Sequence, residues 1–182
     1  MQHQRGFTLA EVLITMGIIG VVAALTIPSL STAYQKRVMT TQLQKAYAEI
    51  SQAAGMVVAD EMTNDFRTSR AVRNNRFIDK YLTGSYTYIS GPYEYVDGGG
   101  GFYLQNELGD NYQCKQTKAG AVFCMANGQS HGFLDVNGAK GPNSIGRDAF
   151  SIGFNKSGSI DPDYSVFLRR IVKEDWDLDA AH

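Results

Sequence analysis

The stretch that decides the fold is residues 6–28, which read GFTLAEVLITMGIIGVVAALTIP. About 20 mostly apolar residues, each adding 1.5 Å of rise, span a hydrocarbon core of roughly 30 Å, so this run is long enough to cross a bilayer as a helix. Glu11 is unusual there, because a carboxylate inside such a helix costs a few kcal/mol unless it is paired. The sequence therefore predicts a membrane helix that carries one functional acid.

The flank before the apolar run, MQHQR, is short, polar and positively charged. In a secretory signal peptide, small residues mark a cleavage site after the apolar region, whereas the small residue here, Gly6, comes before that region. With this flank, residues 5–14 (RGFTLAEVLI) resemble the processing site of type IV pilins and pseudopilins.

The resemblance implies that a prepilin peptidase cleaves after Gly6 on the cytoplasmic side and that the new terminus at Phe7 is N-methylated. It also implies that the apolar helix is retained. Glu11 matches the family's assembly glutamate, and Pro28 matches its helix-kinking proline. Beyond Pro28 the likeness to pilins is one of architecture.

The physical chemistry of these positions supports a role in assembly. After cleavage Phe7 carries an ammonium group, and staggered helices in a filament can place it beside the Glu11 of a neighbour, so that each charge is compensated only in the assembly. Small residues allow close helix packing in the membrane, namely Gly17, Gly20, Ala23 and Ala24. Pro28 removes a backbone donor and should kink or locally melt the helix. The alternative is a plain membrane anchor in which Glu11 snorkels or is protonated.

The pattern predicts an α+β fold that resembles a pilin, with a long N-terminal helix packed on a small antiparallel sheet. We divide the chain into a leader (1–6), a membrane and assembly half of the helix (7–28), an amphipathic half (29–60) and a globular head (61–182). The amphipathic half carries an apolar stripe at helical spacing, made of Met39, Leu43, Tyr47, Ile50, Ala54 and Val57. The helix would run for about 54 residues from Phe7.

From residue 85 onward the apolar pattern changes to a period of two, which is typical of strands separated by glycine turns. The segments include residues 102–104, 121–123 and 133–136, and they predict an antiparallel sheet of about four strands. Residues 150–154 and 158–160 read as a late strand, turn and strand. Residues 164–176 are compatible with either a strand or a helix.

Cys114 and Cys124 are the only cysteines, and a glycine turn near Gly120 lies between them. In a hairpin they would face each other across the strands, at a spacing that suits a disulfide. The periplasm or the cell exterior permits this bond, which would contribute on the order of 3 kcal/mol. Free thiols are the alternative in an anaerobic host, and two thiols at this spacing lack the companion ligands of a metal site.

Residues 66–81 carry a basic residue at almost every third position: Arg67, Arg70, Arg73, Arg76 and Lys80. On one helix they would form a stripe able to contact phosphates, anionic lipid or an acidic patch on a neighbouring subunit. We favour a solvated helix face balanced by Asp65 and Asp79, because no interleaved aromatic residues or recognition module accompanies the stripe. Nucleic acid is therefore not an expected partner.

A loop late in the head carries four oxygen-bearing side chains, Asp135, Asn137, Asn143 and Asp148. Such oxygens, with carbonyls from a glycine-rich loop, are what Ca²⁺ requires, and major pseudopilins can carry a calcium-binding loop late in the head. The loop is not an EF-hand, because Lys140 and Gly146 stand where a glycine and a bidentate glutamate belong. We favour a structural loop in which Asp and Asn cap turns, with calcium as the alternative.

The chain as a whole indicates a structural subunit and not an enzyme. Its 17 basic and 18 acidic residues leave no strong global field. Ser130, His131 and Asp135 lie close in sequence, but a catalytic triad depends on spatial geometry and no other signal marks a nucleophile. The prediction is a single-pass protein of the cytoplasmic membrane, with its head in the periplasm or outside the cell, that polymerises into a filament.

The resemblance to pilins and pseudopilins implies several partners: other pilins or pseudopilins, the prepilin peptidase and N-methyltransferase, an inner-membrane assembly platform and the lipid bilayer. The first choice of filament is the pseudopilus of a type II secretion system. The alternatives are a minor pilin, a DNA-uptake pilin, and a membrane-tethered binding module that never polymerises.

Overall fold

The computed structural model describes residues 7–87, 93–95, 101–102, 111–138, 140–141 and 143–178. The chain forms two compact units, Met1–Val38 and Met39–His182. Helix α1, Leu9–Asp60, is 52 residues long and belongs to both. The predicted long helix is therefore confirmed, with a start two residues later than expected.

Helix α1 continues through Pro28, where the sequence predicted a kink or local melting, so local melting does not occur there. The kink stays a prediction. Pro28 has no N–H to donate to the Ala24 carbonyl, and the hydroxyl groups close by donate to other carbonyls of the neighbouring turns. Thr26 Oγ1 donates to the carbonyl of Val22, and Thr32 Oγ1 donates to the carbonyl of Pro28 itself.

The second half of α1 buries one face in the head. Its buried residues are Leu43, Ala46, Ile50, Ala53, Ala54 and Val57, which contain most of the predicted stripe. Met39 and Tyr47 are partly buried and pack against the same core. The opposing surface includes Phe123, Leu134 and Phe150 from the sheet. The amphipathic pattern therefore predicted the packing face correctly.

Three short helical elements follow α1: a 3₁₀ turn at Phe66–Thr68, helix α2 at Arg70–Arg73 and a π-helix at Phe77–Tyr81. The prediction of one helix over residues 66–81 is wrong. Asn75 has a φ of 58°, a left-handed conformation that no α-helix accommodates. The arginines therefore do not share a single helical face.

The described residues contain nine strands. They are β1 Ser85–Tyr86, β2 Tyr93–Tyr95, β3 Gly101–Phe102, β4 Tyr112–Gln116, β5 Val122–Ala126, β6 His131–Asp135, β7 Ser144–Ile145, β8 Ala149–Phe154 and β9 Ile160–Asp161. Their order is β1-β4-β5-β6-β8-β7-β2-β3, and β9 pairs with β8.

The sheet is larger than the four strands predicted, and it is mixed. Most pairs are antiparallel, but β7 is parallel to both β2 and β8. Two-residue strands such as β7 are too short to show any periodicity in sequence. The predicted strand residues 103–104 lie outside the described residues.

The segment that was compatible with strand or helix forms a 3₁₀ turn at Pro162–Tyr164 and then helix α3 at Val166–Lys173. Ser165 caps α3, because its hydroxyl accepts from the Leu168 N–H. Past α3, the ring of Trp176 meets Tyr47 of α1 edge to face, with centroids 5.2 Å apart. The C-terminal segment is thereby fixed to the second half of α1.

Candidate assembly site

The start of α1 forms a reciprocal cap between Thr8 and Glu11. Glu11 Oε2 accepts from both the backbone N–H and the hydroxyl of Thr8, each at 2.8 Å. The Glu11 N–H in turn donates to Thr8 Oγ1 at 3.3 Å. This is the capping-box arrangement, in which a Thr and a Glu three residues apart satisfy donors at a helix start that otherwise have no partner.

The reciprocal cap leaves one carboxylate oxygen of Glu11 available. Within the described part of the chain, Glu11 Oε1 accepts no hydrogen bond, whereas Oε2 accepts two. Phe7, the predicted new terminus, is 89% exposed and directly precedes Thr8. Gly6, the predicted cleavage residue, lies outside the described residues.

The large side chains of the apolar run are exposed in the part of the chain that the structure describes. Leu9, Leu13, Ile14, Ile19 and Leu25 are all more than 60% exposed. Among the described residues, α1 is long and apolar enough to cross a membrane, and its most apolar window has no buried residue. Apolar surface on this scale needs lipid or other helices around it.

Comparison with known proteins finds one match, at the start of the chain. Residues 1–27 match the family described as the prokaryotic N-terminal methylation motif. The chain carries the signature of type IV pilins and pseudopilins. No curated protein and no solved structure matches the chain. The pilin signature therefore characterises the N-terminal segment, and the head has to be interpreted from its own residues.

In the pilin-like head, Cys114 of β4 lies directly opposite Cys124 of β5. The structure joins them in a disulfide across the hairpin. Both residues are buried in a small second core that also contains Val122 and Phe133. The cross-strand pairing predicted from the sequence is present.

The loop between β6 and β8 brings the four predicted calcium residues together. Both of its carboxylates accept hydrogen bonds from backbone N–H groups. Asp135 Oδ1 accepts from the N–H groups of Asn137 and Gly138. The two oxygens of Asp148 accept from the N–H groups of Asn143 and Ser144. Burial is the main influence on Asp148 and raises its pKa, although these hydrogen bonds oppose the rise.

This hydrogen bonding supports the structural interpretation of the loop. Among the described residues, no group of three or more His, Cys, Asp or Glu is arranged to hold a metal. The side-chain oxygens of Asn137 and Asn143 are buried and have no partner there. Two amide oxygens are far fewer than the six to eight ligands of Ca²⁺, so most of the others would have to be loop carbonyls. Calcium binding stays a prediction.

The five basic residues of 66–80 have different roles. Arg67 forms a two-pronged contact with Asp65, from Nε to Oδ1 at 3.0 Å and from Nη2 to Oδ2 at 2.9 Å. This hydrogen bonding lowers the pKa of Asp65. The Arg70 guanidinium, by contrast, lies 4.0 Å from Glu61 and is 73% exposed. Arg67 is thus engaged locally, whereas Arg70 remains largely accessible.

The structure does not assemble a triad from Ser130, His131 and Asp135. His131 and Asp135 occupy opposite ends of β6, which at 3.3 Å per residue places them about 13 Å apart. The His131 ring stacks on Tyr164, and the Asp135 carboxylate serves the following loop.

Two features were missed from the sequence. The Thr8–Glu11 cap was readable, because Thr-x-x-Glu before an apolar run is the capping-box signature. The second is Lys115, a lysine of β4 that is only 7% exposed. Its ammonium donates to the carbonyls of Asp79 and Leu82 and lies 4.9 Å from the centre of the Tyr86 ring. No sequence signal marks that role.

Proposed function

We propose that this chain is a structural subunit that polymerises into a type IV pilus-like filament. The observation that carries the proposal is the start of α1, where the pilin signature includes Glu11 and, among the described residues, only one of the two Glu11 carboxylate oxygens accepts hydrogen bonds. Thr8 holds Oε2, and Oε1 remains available to a second group. The uncovered apolar side chains of the same helix supply the surface that would be buried in the filament core.

The cap suggests how the subunit exists in two states. In the membrane, the two hydrogen bonds from Thr8 lower the cost of holding the Glu11 carboxylate at the edge of an apolar helix. In the filament, the ammonium of a neighbour's Phe7 would bind at Oε1. Because Thr8 fixes the rotamer of Glu11, that oxygen is already oriented for the incoming cation.

For the machine that uses the filament, we propose the pseudopilus of a type II secretion system. The arginines of the head support this choice over a DNA-uptake pilin. They lie on separate short elements, and Arg67 is engaged by Asp65, so the continuous basic stripe that would track a phosphate backbone is not formed. A minor pilin of the same filament class is the second candidate.

Processing and location follow from the same proposal. A prepilin peptidase would remove residues 1–6 and methylate Phe7. Residues 7–28 would span the cytoplasmic membrane once, and an inner-membrane platform would extract the subunit into the filament. The head would lie in the periplasm or outside the cell, where the disulfide between Cys114 and Cys124 is stable.

The test compares Glu11→Ala, Glu11→Gln and Thr8→Ala with wild type in the native host, measuring subunit in membranes and in sheared filaments. We expect Glu11→Ala to abolish filaments while the subunit still inserts in the membrane. Thr8→Ala should lower the filament yield with less effect, because it removes the cap and not the carboxylate. Thr15→Ala is the matched control, since its hydroxyl bonds the Val12 carbonyl and does not touch Glu11. Unchanged filaments in Glu11→Ala would overturn the role of Glu11 in assembly. Absence of the wild-type chain from sheared filaments would overturn the proposal in favour of a membrane-tethered module.

A further inference from the structure

A cleft of about 330 Å³ opens where α1 ends and the short helices begin. Three cationic side chains line it, Arg70, Arg76 and Lys80, together with Asp60 and Glu61. We call this the basic cleft. Its walls come from the end of α1, from α2 and from the π-helix, and all its lining residues belong to the unit Met39–His182.

The two acids of the basic cleft offset the charge of its three cations only in part. The Glu61 oxygens accept from the N–H groups of Arg70 at 2.6 Å and Ala71 at 2.8 Å, and Oε2 also lies 4.0 Å from the Arg70 guanidinium. Asp60 reaches Lys80 at 3.6 Å, but both side chains are more than half exposed, and exposed pairs of this kind are weak. Arg76 has no acidic partner among the described residues. With three cations against two acids, the basic cleft keeps a net positive charge, and Arg76 is the cation that it leaves for a carboxylate from outside.

A complementary acidic segment lies elsewhere on the same subunit. Glu174 and Asp175 follow the end of α3 and are exposed. No lysine or arginine occurs from residue 174 to the end of the printed sequence. Trp176 anchors this acidic segment on Tyr47 of α1.

The two patches are separated along α1. Asp60, at the basic cleft, is 13 positions beyond Tyr47, which corresponds to about 20 Å of helix axis. Charges this far apart do not form a direct ion pair within one subunit. Complementary patches displaced along one axis instead make a head-to-tail contact, and such a contact generates an open helical filament when it does not close into a ring.

We propose that the basic cleft of one subunit receives the acidic segment, Glu174 and Asp175, of a second copy of this chain. This inference rests on the proposed function, because it assigns a contact between heads within the same filament. The contact sets the axial offset of neighbouring heads, as the Phe7–Glu11 pair does for the helices. Arginine suits the site, because its planar guanidinium binds a carboxylate through two hydrogen bonds.

The first test is cross-linking between two differently tagged copies in the native host, one with Arg76→Cys and the other with Asp175→Cys. The sequence holds only Cys114 and Cys124, which are joined, so the introduced cysteines are the only free thiols of each subunit, and the two tags identify the mixed dimer. We expect a mixed dimer in filaments and its loss when both copies also carry Glu11→Ala. A pair with Lys118→Cys in place of Arg76→Cys is the control.

The second test reverses charges. Arg76→Glu should lower the filament yield about tenfold, the scale expected for losing attraction and adding repulsion at one contact. Glu174→Arg with Asp175→Arg should do the same, and combining both sides in one chain should restore assembly. Arg73→Glu is the matched control, because Arg73 is exposed on α2 but does not line the basic cleft.

The outcomes separate the two proposals. Filaments that form without the mixed dimer, or that tolerate Arg76→Glu, would overturn the head contact and leave the filament function intact. A mixed dimer that persists in the Glu11→Ala background would also overturn it as a filament contact. A wild-type chain that forms no filaments at all would instead refute the proposed function.

Discussion

Replacing Lys115 with methionine should destabilise the head and loosen one wall of the basic cleft. The Lys115 ammonium donates to the carbonyl of Asp79 at 3.0 Å and to that of Leu82 at 2.9 Å. These carbonyls belong to the π-helix and the residue after it, which have no further helical turn to supply donors. Lys115 therefore fastens the segment containing Lys80 to strand β4.

The expected loss in the free energy of unfolding follows from the two carbonyls that Lys115→Met leaves without a donor. Two hydrogen bonds from a charged donor contribute about 1.5–3 kcal/mol each. Methionine has a similar length and regains part of this, because it avoids the cost of burying an ammonium group. We expect a net loss of about 2–4 kcal/mol in the free energy of unfolding, since two carbonyls lose their donor.

The assay is urea unfolding of the full chain in detergent micelles, followed by the fluorescence of Trp176. This is the single tryptophan, and its contact with Tyr47 reports docking of the C-terminal segment on α1. With a slope of about 2 kcal/mol per molar urea, the midpoint should fall by about 1–2 M. Lys118→Met, at an exposed turn, is the control and should leave the midpoint unchanged. A Lys115→Met midpoint within about 0.3 M of wild type would refute the reasoning.

Four further predictions use the same unfolding assay. Gly158→Ala should lower the free energy of unfolding by about 1–3 kcal/mol, because φ is +84° there and a Cβ would lie 2.9 Å from the Ala54 carbonyl oxygen. Gly55→Ala is the comparison: it has open space around it and should stabilise α1 by up to about 1 kcal/mol. Reducing the disulfide between Cys114 and Cys124 should lower the free energy of unfolding by ~3 kcal/mol. An unchanged urea midpoint after complete reduction would contradict the structural role of the disulfide. Burial raises the pKa of Asp148 in the folded state. The contribution of Asp148 to stability is therefore greatest below the pKa of the unfolded state and is lost as pH rises through the pKa of the folded state. The stability of wild type relative to Asp148→Asn should increase as pH falls from 7 towards 4. Millimolar Ca²⁺ should leave that comparison unchanged, and a calcium-dependent rise in the wild-type midpoint would favour the metal site instead.

The parts of the fold that could be predicted are those with a long, regular signal. Helix α1 has an apolar run followed by a stripe at helical spacing, and its end at Asp60 was placed correctly. The hairpin of β4 and β5 was marked by two cysteines around a glycine turn. The N-terminal methylation motif was recognisable because residues 5–14 combine specific residue types at fixed spacing.

The parts that could not be predicted depend on contacts between distant residues. The break at Asn75 coincides with a hydrogen bond from the Gly128 N–H to its side chain, 53 residues away. The parallel strand β7 has only two residues and takes its place from its neighbours. Lys115 is buried because carbonyls from another element surround its ammonium. Local pattern carries no information on such partners.

The measurement that tests the central claim most directly is the intact mass and N-terminal fragment spectrum of the protein from the membranes of its own host. The account predicts a chain that begins at Phe7, lacks residues 1–6 and carries one methyl group on its terminal nitrogen. A chain that begins at Met1 would contradict it, because an unprocessed terminus has no ammonium at Phe7 to pair with Glu11. Residues 7–28 would then be an ordinary membrane anchor.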